Sequence, residues 1–177
     1  MVAVVNSSGL PTQAEFHEVI ASRADRWYSA CLRITRDRDL AEDAVQEALL
    51  SAWNKRHQYE RSARLDTWIH RIAVNAALQL LRKNKPERWE PMPDDIEDSS
   101  PMPERIHADS ELNDALGSAL KRLTHVERTC FILKHLEQWR LKEISEELDL
   151  TIGTIKQALF RAVKKLRVHM ADLRSAS

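Results

Sequence analysis

The stretch "PERWEPMPDDIEDSSPMPERIHAD", Pro86 to Asp109, cannot contribute to a core, and that fact limits everything else the chain can do. It carries eight acidic residues against two arginines, a net charge of −6, and it holds five of the chain's six prolines. Proline interrupts helix and sheet ladders alike, like charges repel, and the few apolar side chains bury too little area to offset the entropy of ordering the backbone. Folded structure must form on either side of this stretch. The organisation expected is a domain over residues 1–85, a flexible acidic linker over 86–109, and a second domain over 110–177.

Both flanks read as helix. The chain has only three glycines and 6% aromatic residues, and Leu, Ala, Glu, Lys and Arg are abundant. In the first flank, Thr12 and Glu15 have the spacing of a capping box, in which each side chain bonds the other's backbone N–H. Apolar residues from Phe16 through Val19, Trp27 and Cys31 to Leu32 then recur at three and four. "TRDRD" ends that helix. A second helix is expected over about Leu40–Trp53, with Ala41, Ala44, Val45, Ala48, Leu49 and Ala52 inward. A polar irregular stretch follows, and then a third helix over about Thr67–Arg82, with Ile72, Ala73, Ala76 and Leu80 on its apolar side. In the second flank, an apolar stripe over Leu112–Leu123 precedes another capping box, Thr124 with Glu127. The helix it opens runs to about Leu136. A short helix with Leu141, Ile144 and Leu148 inward follows, then a tight turn at Asp149-Leu150. Thr151 caps a longer helix with Ile155, Leu159, Ala162, Val163, Leu166 and Met170 inward. Short helix, tight turn and long helix make a helix-turn-helix. The fold class is therefore all-α: two small helical domains joined by the linker, the C-terminal one with the helix-turn-helix.

Two faces stand out chemically. Formal net charge is zero, so a nucleic-acid surface requires local segregation of charge. No acid occurs from Thr151 to Ala171, and the long helix turns Thr154, Lys156, Gln157, Phe160, Arg161 and Lys164 outward. Such a face suits phosphates and base edges; a solvated surface with cations favoured at the helix C-terminus is the plainer alternative. On the third helix Arg71, Asn75 and Arg82 share a polar side with few acids to balance them, just after Trp68 and His70. Catalytic readings find no support. There is no His-Glu-x-x-His, no paired-cysteine metal spacing, no glycine-rich phosphate loop and no nucleophile elbow. No metal or cofactor is expected, and the protein is not expected to be an enzyme. Cys31 and Cys130 read as buried reduced thiols. No apolar run spans a membrane and no signal peptide is evident, so a cytoplasmic protein without membrane insertion is expected. The residues leave open a transcription factor of some kind, a stand-alone duplex-binding regulator, and a helical protein-binding adaptor.

Three segments in a fixed order narrow this. "DLAEDAVQEALLSAW", "RLDTWIHRIAVNAALQLLRK" and "LTHVERTCFILKHLEQWRLKEISEELDLTIGTIKQALFRAVKKLR" resemble, in turn, the polymerase-binding part of region two, the minus-ten part of region two, and region four of extracytoplasmic-function sigma factors. These are the compact two-domain members of the bacterial sigma-70 family. The resemblance implies an RNA polymerase sigma factor that binds core polymerase, directs it to promoters and helps open the minus-ten region. Its partners would be the coiled coil of the polymerase's largest subunit, the flap region, promoter DNA and an anti-sigma factor. Asp39, Glu42, Asp43, Gln46 and Glu47 match the polymerase-binding positions. The minus-ten set would be Tyr59, Leu65, Trp68, His70, Arg71, Asn75 and Arg82. Aromatic and apolar groups there replace the stacking partners of an extruded base, arginines pair phosphates, and the Asn75 amide reads a base edge. The minus-thirty-five set would be Thr151, Thr154, Lys156, Gln157, Phe160, Arg161 and Lys164. The sequence departs from the family pattern where Leu65 replaces a common Phe, His70 a Tyr, Gln157 a Ser and Ala158 an Arg. Loss of that Arg removes a DNA contact on this reading, while Gln157 can pair an adenine.

Overall fold

The computed structural model describes residues 9–86 and 110–176, and side chains in the second stretch from residue 114. All but the first residue of the expected linker lies outside the described residues. The chain divides into two compact units, Met1–Lys83 and Asn84–Ser177. Every regular element among the described residues is helical.

In the first unit α1 spans Gln13–Thr35, α2 Arg38–Asn54 and α3 Leu65–Asn84. The Thr12–Glu15 capping box forms in both directions: the Thr12 hydroxyl accepts from the Glu15 N–H at 3.2 Å, and the Glu15 carboxylate accepts from the Thr12 N–H at 2.7 Å. The bond from the Thr12 N–H is the main reason the Glu15 carboxyl sits below its usual pKa. α1 ends at Arg36, which takes the left-handed conformation (φ 53°) and donates its N–H to the Leu32 carbonyl. Asp37 caps α2 by accepting from the Leu40 N–H at 3.1 Å, which starts that helix two residues before Leu40.

The inward side of α2 is a ladder of alanines. Ala41, Ala44, Ala48 and Ala52 are buried, and such small residues let α2 and α1 pack backbone-close. The large buried side chains come from α1 and α3: Trp27, Ile34, Ile69, Leu78 and Leu81. Each fully buried aliphatic contributes roughly 1.5–3 kcal/mol. Cys31 is a buried free thiol whose Sγ donates to the Ala73 carbonyl at 3.4 Å, joining α1 to α3.

The second unit contains α4 (Ser110–Leu120), α5 (His125–Phe131), α6 (Leu141–Leu148) and α7 (Ile152–Ser175). The Thr124–Glu127 capping box opens α5, whose continuation over Ile132–Leu136 widens into a π turn. Leu120, Leu123, Ile132, Leu133, Trp139, Ile144 and Ile155 form the centre of the core. Cys130 is a second free buried thiol, and burial pushes its pKa up to about 12. The core also contains charge. Glu127 is 4% exposed and accepts from Lys165 of α7 at 2.9 Å, while Arg128 lies against His125 Nδ1 at 3.1 Å.

Between α6 and α7, Asp149 adopts the left-handed conformation (φ 54°, ψ 44°) and its N–H bonds the Ser145 carbonyl. Thr151 then caps α7, accepting from the Thr154 N–H at 3.1 Å. The helix-turn-helix is thus present. One expectation along α7 is corrected. Met170 is 45% exposed, and His169 is buried in its place. The buried residues of α7 are Ile155, Ala158, Ala162 and His169, so the inward side lies one residue off the expected register by the end of the helix.

Candidate nucleic-acid interface

The exposed side of α2 is acidic. Asp39, Glu42, Asp43, Gln46 and Glu47 are all exposed, and their spacing of three and four puts them on one stripe opposite the alanine ladder. Leu50 continues that stripe and is 67% exposed, an apolar end to an acidic surface. Trp53 lies one turn further on. Its ring meets Phe16 edge-on at 5.1 Å and carries the Arg56 guanidinium at 4.2 Å.

The loop between α2 and α3 contains a single 3-10 turn, Arg56–Gln58, and then the Tyr59–Arg64 crossing. Tyr59 and Trp68 are in ring contact, with centroids 5.3 Å apart and planes tilted by 41°. The Tyr59 hydroxyl donates to the Ala63 carbonyl at 2.6 Å, and burial raises its pKa. Helical spacing puts Leu65, Trp68, Arg71, Asn75 and Arg82 on one side of α3. The first four are half-buried and Arg82 is exposed. The Asn75 Oδ1 is buried without a hydrogen-bond partner among the described residues. His70 falls on a different side of α3. It lines a cleft with Arg23, Arg26 and Trp27 of α1 and with Asp66 and Thr67.

On α7, Thr151, Thr154, Lys156, Gln157, Phe160, Arg161 and Lys164 are all exposed. Thr154, Gln157, Phe160, Arg161 and Lys164 form a single stripe, with Lys156 at its edge. Phe160 is 72% exposed, a large apolar ring among amide and basic groups. The pairing of Lys165 with Glu127 takes that lysine away from the stripe. Ala158 is 5% exposed. That position is inward on α7, so an Arg there would reach a groove only by extending its side chain out of the packing.

Sequence reasoning missed the groups that hold the α2–α3 loop. Arg61, itself left-handed at φ 57°, donates from Nε to the Gly9 carbonyl at 2.9 Å and meets Glu15 at 3.5 Å. Asp66 is paired with both Arg23 and Arg64. Apart from Arg64 and Asp66, which are two residues apart, the partners lie far apart in sequence and no local pattern signals them.

Residues 19–87 match the family model for sigma-70 region 2, and residues 113–166 match that for sigma-70 region 4. The chain is similar to the "ECF RNA polymerase sigma factor SigW" of Bacillus subtilis, 28% identical over 91% of both chains. It is also similar to the "RNA polymerase sigma-E factor" of Streptomyces coelicolor, 30% identical over 86% of this chain and 84% of that one. Among solved structures it resembles the sigma factor RpoE of Bartonella quintana, crystallised with the anti-sigma factor NepR. The TM-score is 0.58 at 24% identity, covering 89% of this chain and 97% of that one. The last likeness is one of fold.

Proposed function

Since the chain belongs to the extracytoplasmic-function sigma factors of the sigma-70 family, we propose that its three exposed faces divide the work of initiation. The acidic α2 stripe, Asp39 to Glu47 with Leu50 at its end, docks on the polymerase, where arginines would pair the carboxylates. The α7 stripe enters duplex DNA at the minus-thirty-five element. Phosphates pair with Lys156, Arg161 and Lys164, while Gln157 and Phe160 meet base edges. The side of α3 bearing Trp68, Arg71 and Asn75, with Tyr59 above it, holds the minus-ten strand once a base leaves the stack. The role is non-catalytic and cytoplasmic: it positions polymerase and DNA and leaves the chemistry to the polymerase. An anti-sigma factor is the regulatory partner this family reading brings. The observation that carries the reading is the α7 stripe: five contact candidates with Lys156 at their edge, all exposed, on a long helix capped by Thr151 and without an acid before Asp172.

Two substitutions separate capture from opening. Asn75→Ala is expected to leave polymerase binding and minus-thirty-five capture intact and to impair opening by about 1–3 kcal/mol, the scale of one good base contact. Arg161→Ala is expected to weaken closed-complex formation and to lower its salt dependence by roughly one ion. The check is transcription from matched and pre-melted templates at several salt concentrations. Equal losses on both templates with one salt slope for both variants would overturn the division.

A further inference from the structure

The α2–α3 loop is tied by backbone bonds at its ends and by side-chain contacts to α1 and to Gly9 ahead of it. Its ends are tied locally, the Tyr59 N–H to the Arg56 carbonyl and the Trp68 N–H to the Arg64 carbonyl. Between them, the Arg61 side chain reaches Gly9 and Glu15, and Asp66 reaches Arg23. Glu15 and Arg23 are eight residues apart on α1, about 12 Å along the helix axis, so the loop lies along two turns of α1. Asp66 is the buried anchor. It is 9% exposed in the first turn of α3, and its oxygens are shared between Arg64 Nε at 3.1 Å and Arg23 Nε at 3.3 Å. A carboxylate suits this place for three reasons. It has two acceptor oxygens for two guanidinium groups, the helix N-terminus favours negative charge, and of the two partners Arg23 is the less exposed, at 39% against 75% for Arg64.

We propose that Asp66 is a positioning residue which, through Arg23, docks the loop on α1 and so sets how sharply Tyr59, Leu65 and Trp68 discriminate the unpaired minus-ten base. Leu65 adjoins Asp66, and Trp68 follows within the same turn of α3. Movement of that turn therefore moves both stacking groups, and with them the Tyr59–Trp68 contact. Preorganisation of this kind acts on discrimination, because a loosened pocket accepts every base by adjusting to it. The inference rests on the loop being the base-binding site.

The test uses full-length protein reconstituted with core polymerase on four pre-melted templates that differ only at the unpaired minus-ten base. Asp66→Asn keeps the side chain's shape and removes its charge, and Arg23→Met removes the partner at a half-exposed site. Each is expected to reduce the spread of initiation rates among the four templates by about tenfold, one base contact's worth, with core-polymerase affinity unchanged. The double variant is expected to lose no more than either single one, because both open the same tether. A uniform loss on all templates with the spread preserved, or additive losses in the double variant, would overturn the proposal. Trp68→Ala distinguishes the levels. If it narrows the spread and Asp66→Asn and Arg23→Met do not, the positioning role is wrong and the site stands. If none of the three narrows it, the loop is not the base-reading site. Should Asp66→Asn fail to fold, Arg23→Met alone decides, since it leaves Asp66 paired with Arg64.

Discussion

Replacing Glu42 and Asp43 together by lysine is expected to cost core-polymerase binding about 2–5 kcal/mol, the range for losing one partner of a desolvated interfacial charge pair. This corresponds to a Kd raised from roughly thirtyfold to several thousandfold. Both residues are exposed on the side of α2 opposite Ala41, Ala44 and Ala48, so the change touches none of the packing that holds α2 on α1. Surface substitutions of that kind shift stability by only about 0.5 kcal/mol in either direction. The helical spectrum and the melting midpoint should therefore stay near those of the unchanged protein while a fluorescence titration against core enzyme shows the loss. Because exposed charges are screened, the difference between the two proteins should shrink as salt rises. Unchanged affinity in the reversed variant would take this stripe out of the polymerase interface.

Glu127→Ala is expected to destabilise the second unit by about 3 kcal/mol, toward the lower end of the cost of breaking a buried pair. Two losses combine. The Thr124 N–H loses the carboxylate that accepts it at 3.0 Å, and with it the capping box of α5, a cap being worth about 1 kcal/mol. Lys165 loses the partner at 2.9 Å that joins α7 to α5, although its side chain is 32% exposed and regains part of its hydration. Small helical units have only about 3–5 kcal/mol to lose, so the variant should populate an unfolded second unit at working temperature. Hydrogen exchange is the readout that resolves it: amides of α5 and α7 should lose protection while those of α1 and α3 keep it. Glu127→Gln, which keeps an acceptor for the cap, should cost less than the alanine. Protection on α7 equal to that of the unchanged protein would mean the pair contributes nothing.

What could be read from the sequence was local chemistry. Both Thr/Glu capping boxes, the left-handed Asp149 and the Thr151 cap involve residues within about four of each other, and all form as their spacing suggests. The alanine side of α2 was legible for the same reason, as were the exposed stripes of α2 and α7. Two kinds of feature were not legible. Register errors accumulate along a long helix, and α7 has 24 residues, so His169 rather than Met170 turns inward near its end; Ala158, in the second turn, is inward because it lies three residues after Ile155 on the same side. Contacts between distant residues carry no periodic signal. Arg61 to Gly9 spans 52 residues, and Arg23 to Asp66 joins two helices with a third between them in sequence. Arg128, 1% exposed, is buried beside His125, a placement no periodic pattern of charges would indicate. His70, grouped in sequence with the minus-ten residues, lies off their side of α3 and in the cleft against α1.

The placement of the two DNA-reading faces is tested most directly by photocrosslinking from single positions in the reconstituted promoter complex. A photoreactive phenylalanine analogue replaces Trp68 in one protein and Phe160 in another. From position 68, labelling is expected on the unpaired strand of the minus-ten region, and only under conditions in which the complex has opened. From position 160, labelling is expected on duplex near minus thirty-five, in closed and open complexes alike. Labelling of the minus-ten strand before opening, or a position 68 that labels polymerase and no DNA while position 160 labels no duplex, would contradict the assignment.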